Sequence, residues 1–315
     1  MIQGQNKIQL RNGERIFSTF SNYDNHDVFC SGGERKWTRV IFLLHGFPDN
    51  NRSFNSVWTV ILDSVPEDEK VLLLAPSMRG YEPSSQGEQC DYKMSDLAGD
   101  VRSWIKDISP DGIPVHLVGH DWGAIVAFKT ASMYPEVITS MACLAIPYIT
   151  NIRLWEFAWY VPDQIYHSSY MFTMQFGWLY KKRLSDTSSN SYLDGLWRCW
   201  SPTWNYTVDE IDSVKRTLQE PGVIDASTAY YRCIANPLNF SNRRWNVDFK
   251  KVPTLLIGGE RDGCMNEKLY HLEASKLANN PYVKVKTLSN VGHFLHREDP
   301  TKVGELITDW FSEYP

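Results

Sequence analysis

The stretch that most constrains this chain is residues 114–131, PVHLVGHDWGAIVAFKTA. Val115, Leu117 and Val118 make a short apolar run, the pattern of a strand covered on both faces. Ala124, Ile125, Val126, Ala127, Phe128 and Ala131 then give a helix small and apolar enough to lie close against a sheet. Gly119 and Gly123 bracket the join. Small residues at both places let the backbone reverse sharply from strand to helix and lift Asp121, the residue between them, into the open at the helix N-terminus. Two readings of Asp121 stand at this point. As an N-cap it would suit both the free amides and the dipole of the helix. As a nucleophile, an aspartate is already ionised at neutral pH and can displace a leaving group from saturated carbon, leaving an ester on the protein. Releasing that ester requires a water activated by a base, and donors for the oxyanion that forms at the Asp121 carbonyl.

The rest of the chain supplies a context of alternating strands and helices. Residues 7–20 and 27–30 read as an opening β-meander, with Asn12-Gly13 as a turn. Buried strands are predicted over 40–44, 70–75, 138–146, 254–257 and 283–288. Ser95 is placed to cap a helix whose Leu97, Val101, Trp104, Ile105 and Ile108 share one face. Helices are also predicted over 267–277 and 301–311. From Tyr148 to about Trp245 no buried-strand run occurs. Seven of the twelve tryptophans fall there, which marks a separate helical unit. Within it, Thr207 and Glu210 form a capping box that opens a helix ended by Pro221-Gly222, and another helix spans 224–235. Alternation interrupted once predicts an α/β fold with a mostly parallel, doubly wound sheet and an inserted helical lid. The core is then residues 1–147 and 248–315, and the lid 148–247.

Composition narrows the partners. The 315 residues can bury a large core; net charge is -5 with Lys and Arg scattered, so nucleic acid is not an expected partner. No apolar run approaches membrane-spanning length and the first residues do not read as a signal peptide, so a cytoplasmic location is expected and a membrane partner is not. Six cysteines without a CxxC or a pairing rhythm fit reduced thiols and signal no zinc site.

Active groups in an open parallel sheet gather at the carboxyl ends of strands. Four such ends carry suitable residues: His45-Gly46-Phe47-Pro48, Asp121, Glu260-Arg261-Asp262 and Gly292-His293. His293, in a glycine-flanked loop just past a strand, is the candidate base, and Asp262 would fix its tautomer and stabilise the imidazolium. Glu260 competes for that role but falls nearer the strand. His296, followed by Arg297, Glu298 and Asp299, reads as a solvated helix start, and His45 and His120 as structural members of their turns. The backbone amides of Phe47 and Trp122 are the natural oxyanion donors, one beside the nucleophile and one following it.

With His45-Gly46-Phe47-Pro48, Arg79-Gly80-Tyr81, Gly119-His120-Asp121-Trp122-Gly123, Gly259-Glu260-Arg261-Asp262 and Gly292-His293 in this order, the chain resembles the α/β-hydrolases of the epoxide hydrolase family from about Lys7 onward. The resemblance implies Asp121 as nucleophile, Asp262 as acid and His293 as base, with no cofactor or metal. It also implies two lid tyrosines holding the epoxide oxygen: Tyr170, in Tyr170-x-x-x-x-Gln175, and Tyr231, in Tyr230-Tyr231-Arg232. The expected substrate is an apolar or aromatic epoxide in a pocket lined by Phe47, Trp122 and Trp155, on a monomer or homodimer. Haloalkane and haloacetate dehalogenases share most of these motifs. They are disfavoured by Phe47 and Trp122, which stand where those enzymes commonly carry asparagine and arginine. A non-catalytic ligand-binding protein on the same fold is the remaining alternative. Glu82 in place of a common glycine, Cys264-Met265 without a nearby proline, and the long tryptophan-rich lid depart from the family pattern and bear on the shape of the substrate.

Overall fold

The computed structural model describes residues 4–29, 36–66, 69–239 and 245–315. The chain opens on a hairpin, Asn6–Asn12 (β1) and Arg15–Ser21 (β2), turned at Gly13 with its φ of 60°. Where the sequence suggests a third meander strand there is a short helix, Asn25–Phe29 (α1). Its cause is local: the Asp24 carboxylate accepts the Asp27 amide at 2.8 Å and closes a helical turn. Cys30, the last residue of that suggested strand, lies outside the described residues.

Alternation follows: Arg39–Leu44 (β3), Asn55–Asp63 (α2), Val71–Pro76 (β4), Met94–Ile108 (α3), Val115–His120 (β5), Trp122–Met133 (α4) and Ser140–Leu144 (β6). Helix α3 starts a residue before Ser95, because the Asp96 carboxylate reaches back to the Lys93 amide at 3.2 Å and makes Lys93 the cap position. Seven α-helices follow among the described residues before the next strand. They are Leu154–Tyr160 (α5), Gln164–His167 (α6), Tyr170–Thr173 (α7), Gly177–Leu184 (α8), Tyr192–Trp200 (α9), Val208–Gln219 (α10) and Val223–Ala235 (α11). The chain closes with Thr254–Gly259 (β7), Glu267–Leu277 (α12), Val283–Leu288 (β8), Leu295–Glu298 (α13) and Pro300–Ser312 (α14). No helix among the described residues is long and apolar enough to cross a membrane.

The strands form one sheet in the order β1-β2-β4-β3-β5-β6-β7-β8, antiparallel at β1-β2 and β2-β4 and parallel from β4 onward. Strands β3 to β7 are buried at every position, as parallel strands with helices on both faces must be. Alternate residues of β3 feed the two faces. Val40, Phe42 and Leu44 join a core with Trp104 and Phe128, whereas Ile41 and Leu43 join one with Trp58 and Trp310. The chain passes from β3 outward to β4 and then back to β5 on the other side of β3. That reversal makes the carboxyl ends of β3 and β5 the topological switch point of the sheet.

A buried ion pair fixes the loop after β4, beside that switch point. Arg79 donates to both oxygens of Asp100 on α3, at 2.6 and 2.5 Å, and to the carbonyl of Asp91 at 2.6 Å. The Arg79 carbonyl in turn accepts from the Tyr230 hydroxyl of α11 at 2.6 Å, so one residue ties the sheet, α3 and the helical segment. Removing one partner of a buried pair leaves the other charge stranded, which costs about 3–5 kcal/mol. Arg79→Met is therefore expected to lower the unfolding free energy by about that amount in urea titrations, with Arg79→Lys intermediate because an ammonium cannot make the two-pronged contact.

Candidate active site

Asp121 sits between β5 and α4 with φ 51° and ψ -118°, a conformation side-chain-bearing residues rarely adopt. The glycines around it explain how the chain tolerates this. A Cβ on Gly123 would lie 1.9 Å from the Leu44 carbonyl oxygen, and one on Gly46 would lie 2.5 Å from the Asp121 side chain. The capping reading of Asp121 is overturned, since its carboxylate makes no cap bond to α4. Instead Oδ1 accepts the Phe47 amide at 2.8 Å. The Trp122 amide opens α4, at a position where a helix has no internal acceptor to offer.

His293 and Asp262 come to the same place from the loops after β8 and β7. His293 Nδ1 lies 2.9 Å from Asp262 Oδ2, and its Nε2 lies 3.6 Å from Asp121 Oδ2. The other Asp262 oxygen accepts the amides of Cys264 and Met265, at 2.7 and 2.9 Å, which fixes the carboxylate. Both loops hang on one atom: the Trp200 carbonyl, at the end of α9, accepts the Gly263 and the His293 amides, each at 3.0 Å. Gly263 is the residue this approach permits, because a Cβ there would fall 1.9 Å from the Cys199 carbonyl oxygen. Asp121, Asp262 and His293 are all buried, whereas Glu260 is exposed and takes no part. Burial by itself would lower the His293 pKa, but Asp262 and Asp121 on its two sides outweigh that and raise it to about 10.

Two tyrosines close the site from the helical segment. Tyr231 of α11, 1 % exposed, packs edge-on against the rings of Trp122 at 4.8 Å and Phe47 at 5.4 Å. Its hydroxyl is buried with the Trp122 and Tyr170 side chains as its polar neighbours and makes no hydrogen bond of good geometry. The adjacent Tyr230 is committed to the Arg79 carbonyl, which separates the roles of the two neighbours. Tyr170 of α7 stacks edge-on to Tyr231 at 5.8 Å and to Trp200 at 4.7 Å, with its hydroxyl 3.7 Å from Cys264 Sγ. Gln175 donates to the Tyr231 and Met171 carbonyls, at 3.3 and 3.1 Å, and so links the two helices that carry the tyrosines. Burial pushes both phenols well above their usual pKa, so they remain hydrogen-bond donors.

Two expectations need correction. Trp155, expected in the pocket, is 59 % exposed on α5, and among the described residues no ring contact joins it to the site; α5 instead turns Phe157 toward Val161 and Leu269. His296 is fully buried. Its Nε2 lies 2.7 Å from Ser53 Oγ, which donates to Asp49 at 2.6 Å, while Arg297 donates to the other Asp49 oxygen at 2.6 Å. This network lies behind His293, for the His120 ring packs tilted against His296 and its Nε2 lies 3.0 Å from the His293 carbonyl oxygen. The sequence offered no local signal for it, because Ser53 and His296 are 243 residues apart. Asp49, His120 and His296 bring one ligand atom each within 4.8 Å, a geometry that could hold a cation, but the Arg297 guanidinium already supplies positive charge there.

The sequence pattern of the alpha/beta hydrolase fold family matches residues 39–300. Among curated relatives, Epoxide hydrolase 4 of Homo sapiens is 25 % identical over 293 residues, covering 90 % of this chain and 75 % of that protein. Epoxide hydrolase 3 of Mus musculus is 27 % identical over 287 residues, covering 89 % and 72 %. Among solved structures, epoxide hydrolase VrEH1 from Vigna radiata superposes with a TM-score of 0.71 at 18 % identity over 100 % of this chain and 99 % of that one, a likeness of fold.

The charge arrangement carries a pH signature. A histidine whose folded pKa exceeds its ordinary value of 6.5 contributes stability that is fully present below that value and lost as pH rises through about 10. The wild type is therefore expected to lose thermal stability between these limits by more than His293→Gln does, in melting curves taken across the alkaline range.

Proposed function

The chain belongs to the α/β-hydrolase fold family, and from that we propose that it opens apolar or aromatic epoxides to vicinal diols through an ester on Asp121. The observation that carries this reading is the Tyr231 hydroxyl, buried beside the nucleophile against the Trp122 and Tyr170 side chains, with no acceptor in good hydrogen-bonding geometry for its own proton. A polar atom left bare in a desolvated site costs stability, and the oxygen of an oxirane is the acceptor it lacks. In this reading residues 148–247 are the lid of a core formed by 1–147 and 248–315, and they contribute Tyr170, Tyr231 and the Trp200 carbonyl.

Asp121 attacks one oxirane carbon, the carbon–oxygen bond breaks, and the leaving oxygen takes a proton while held by Tyr170 and Tyr231. Ester formation cancels the Asp121 charge. One of the two carboxylates that hold the His293 proton has then gone, so the imidazolium becomes more acidic and restores the proton given by the tyrosine. Neutral His293 now takes a proton from water, and the hydroxide attacks the ester carbonyl. The Phe47 and Trp122 amides receive the oxyanion and Asp262 steadies the new imidazolium. Collapse passes the remaining hydroxide proton to the departing diol and regenerates the Asp121 carboxylate beside protonated His293. The base thus exists only after the step that creates its substrate. We place the reaction in the cytoplasm, in keeping with the free state of the five described cysteines.

Two experiments test this. In His293→Gln exposed to an aryl epoxide, intact mass is expected to show a stable adduct equal to the whole epoxide, located on Asp121. An adduct only from a haloalkane, lighter by hydrogen halide, would move the protein to dehalogenation, and none from either would favour ligand binding without turnover. Tyr231→Phe is expected to slow ester formation about a hundredfold or more, as loss of one buried donor to a developing oxyanion does; an unchanged single-turnover rate would remove Tyr231 from the mechanism.

A further inference from the structure

Twelve large apolar residues are exposed among the described residues, and eight of them lie between Trp155 and Trp178. Trp159 (80 %), Ile165, Tyr166, Phe172 and Trp178 each leave more than two thirds of their surface in solvent. This is not tolerance of tryptophan at the surface in general, for Trp58, Trp104, Trp197, Trp200 and Trp310 are nearly or wholly buried. Concentrations of exposed apolar area on this scale mark a surface made to be covered.

The chemistry of the face selects its occupant. Tryptophan and tyrosine, with an apolar body and a polar tip, are the side chains that settle at the boundary between hydrocarbon and water. Helix α8 adds Lys181, Lys182 and Arg183 one turn after Trp178. Across residues 153–184 there are four Arg and Lys against two Asp and Glu, in a chain whose net charge is -5. Of these, Lys181 is paired with Asp225, Arg183 donates to Thr173 and lies over Tyr192, and Glu156 is paired with Lys276. An aromatic face with a basic margin on an otherwise acidic protein complements an anionic lipid surface.

We propose that the outer aromatic face of α5 to α8 docks this protein peripherally on an anionic membrane surface. This amends the expectation of no membrane partner, which rested on spanning length and the lack of a signal-peptide pattern, neither of which bears on a surface contact. One of these helices, α6, also holds the loop of Asp262: Gln164 donates to the Cys264 carbonyl at 2.8 Å, and His167 Nδ1 lies 2.7 Å from the Gly263 carbonyl oxygen. Docking therefore sets the bilayer against a helix that packs on the loop carrying Asp262. The docking itself goes beyond the proposed reaction and does not depend on it.

The test is flotation of the full chain with vesicles of phosphatidylcholine alone and of phosphatidylcholine with phosphatidylserine, alongside sedimentation velocity without lipid. Wild-type protein is expected to float with the anionic vesicles. Trp159→Ser/Tyr166→Ser/Trp178→Ser is expected to stay in the aqueous layer. Lys181→Glu/Lys182→Glu is expected to bind at least about fivefold more weakly, as loss of a basic residue near a charged surface does. If the serine variant fails to fold, quenching of wild-type tryptophan fluorescence by bromine-labelled lipid replaces it. Absence of flotation and of quenching overturns the proposal, as does binding unchanged in the serine variant. A dimer that the serine variant dissolves, without vesicle binding, overturns it in favour of a second copy of the chain as the occupant. Turnover of a water-soluble epoxide plays no part in these readouts, so failure of docking and failure of the proposed reaction are told apart.

Discussion

Close approach of the reversal after β5 to the end of β3 is the constraint on which the rest depends. A side chain at Gly123 would drive into the Leu44 carbonyl, and one at Gly46 into Asp121 itself. With both absent, Asp121 is held in a conformation it would not adopt alone, and its carboxylate reaches the Phe47 amide rather than capping its own helix. The strain is carried by packing on both faces of the sheet, where β3 and β5 are buried throughout. Fixing one side chain so firmly is what lets groups from three other segments be aimed at it.

Electrostatics organises the second layer. His293 stands in a buried place between two carboxylates, which overcome the desolvation of its charge. His120 and His296 behind it are driven the other way by burial, with the neighbouring positive charges adding to that, so the positive charge is confined to the ring that faces Asp121. The phenols above are kept neutral by the same burial. Each group therefore holds the protonation state that the proposed chemistry asks of it, through where it is placed rather than through what it is.

The helical segment between β6 and β7 divides its work by face. Inward it gives Tyr170, Tyr231 and the Trp200 carbonyl, the acceptor that joins the loops of Asp262 and His293. Outward it spends its aromatic residues on solvent. A segment with so many aromatic side chains can serve both sides because its helices α6 and α7 are short and anchored by polar contacts, such as Gln164 to the Cys264 carbonyl, rather than by a long apolar stripe.

Much of this was legible in the sequence, because it depends on order and local spacing. Short apolar runs ending in glycine-flanked polar residues gave the strands, and the order Asp121, Asp262, His293 fixed which strand ends matter. Local hydrogen bonding misled where a side chain intervened, as Asp24 did in turning a suggested strand into α1. Other outcomes belonged to the tertiary structure. Only its place before Arg232 singled out Tyr231 in the sequence, whereas packing commits the Tyr230 hydroxyl to the Arg79 carbonyl and sets Tyr231 against Trp122 and Phe47. Trp155 and Trp200 are both aromatic residues of the same segment, yet one faces solvent and the other is buried, with its backbone carbonyl joining the loops of Asp262 and His293. His296, within a charged run that reads as surface, is buried because Ser53 and Asp49, far away in the chain, meet it there. Sequence alone determined the backbone reversal that presents Asp121, since glycine spacing is a local property; which other groups gather round it was decided by contacts between residues from 31 to 243 positions apart, which no local pattern encodes.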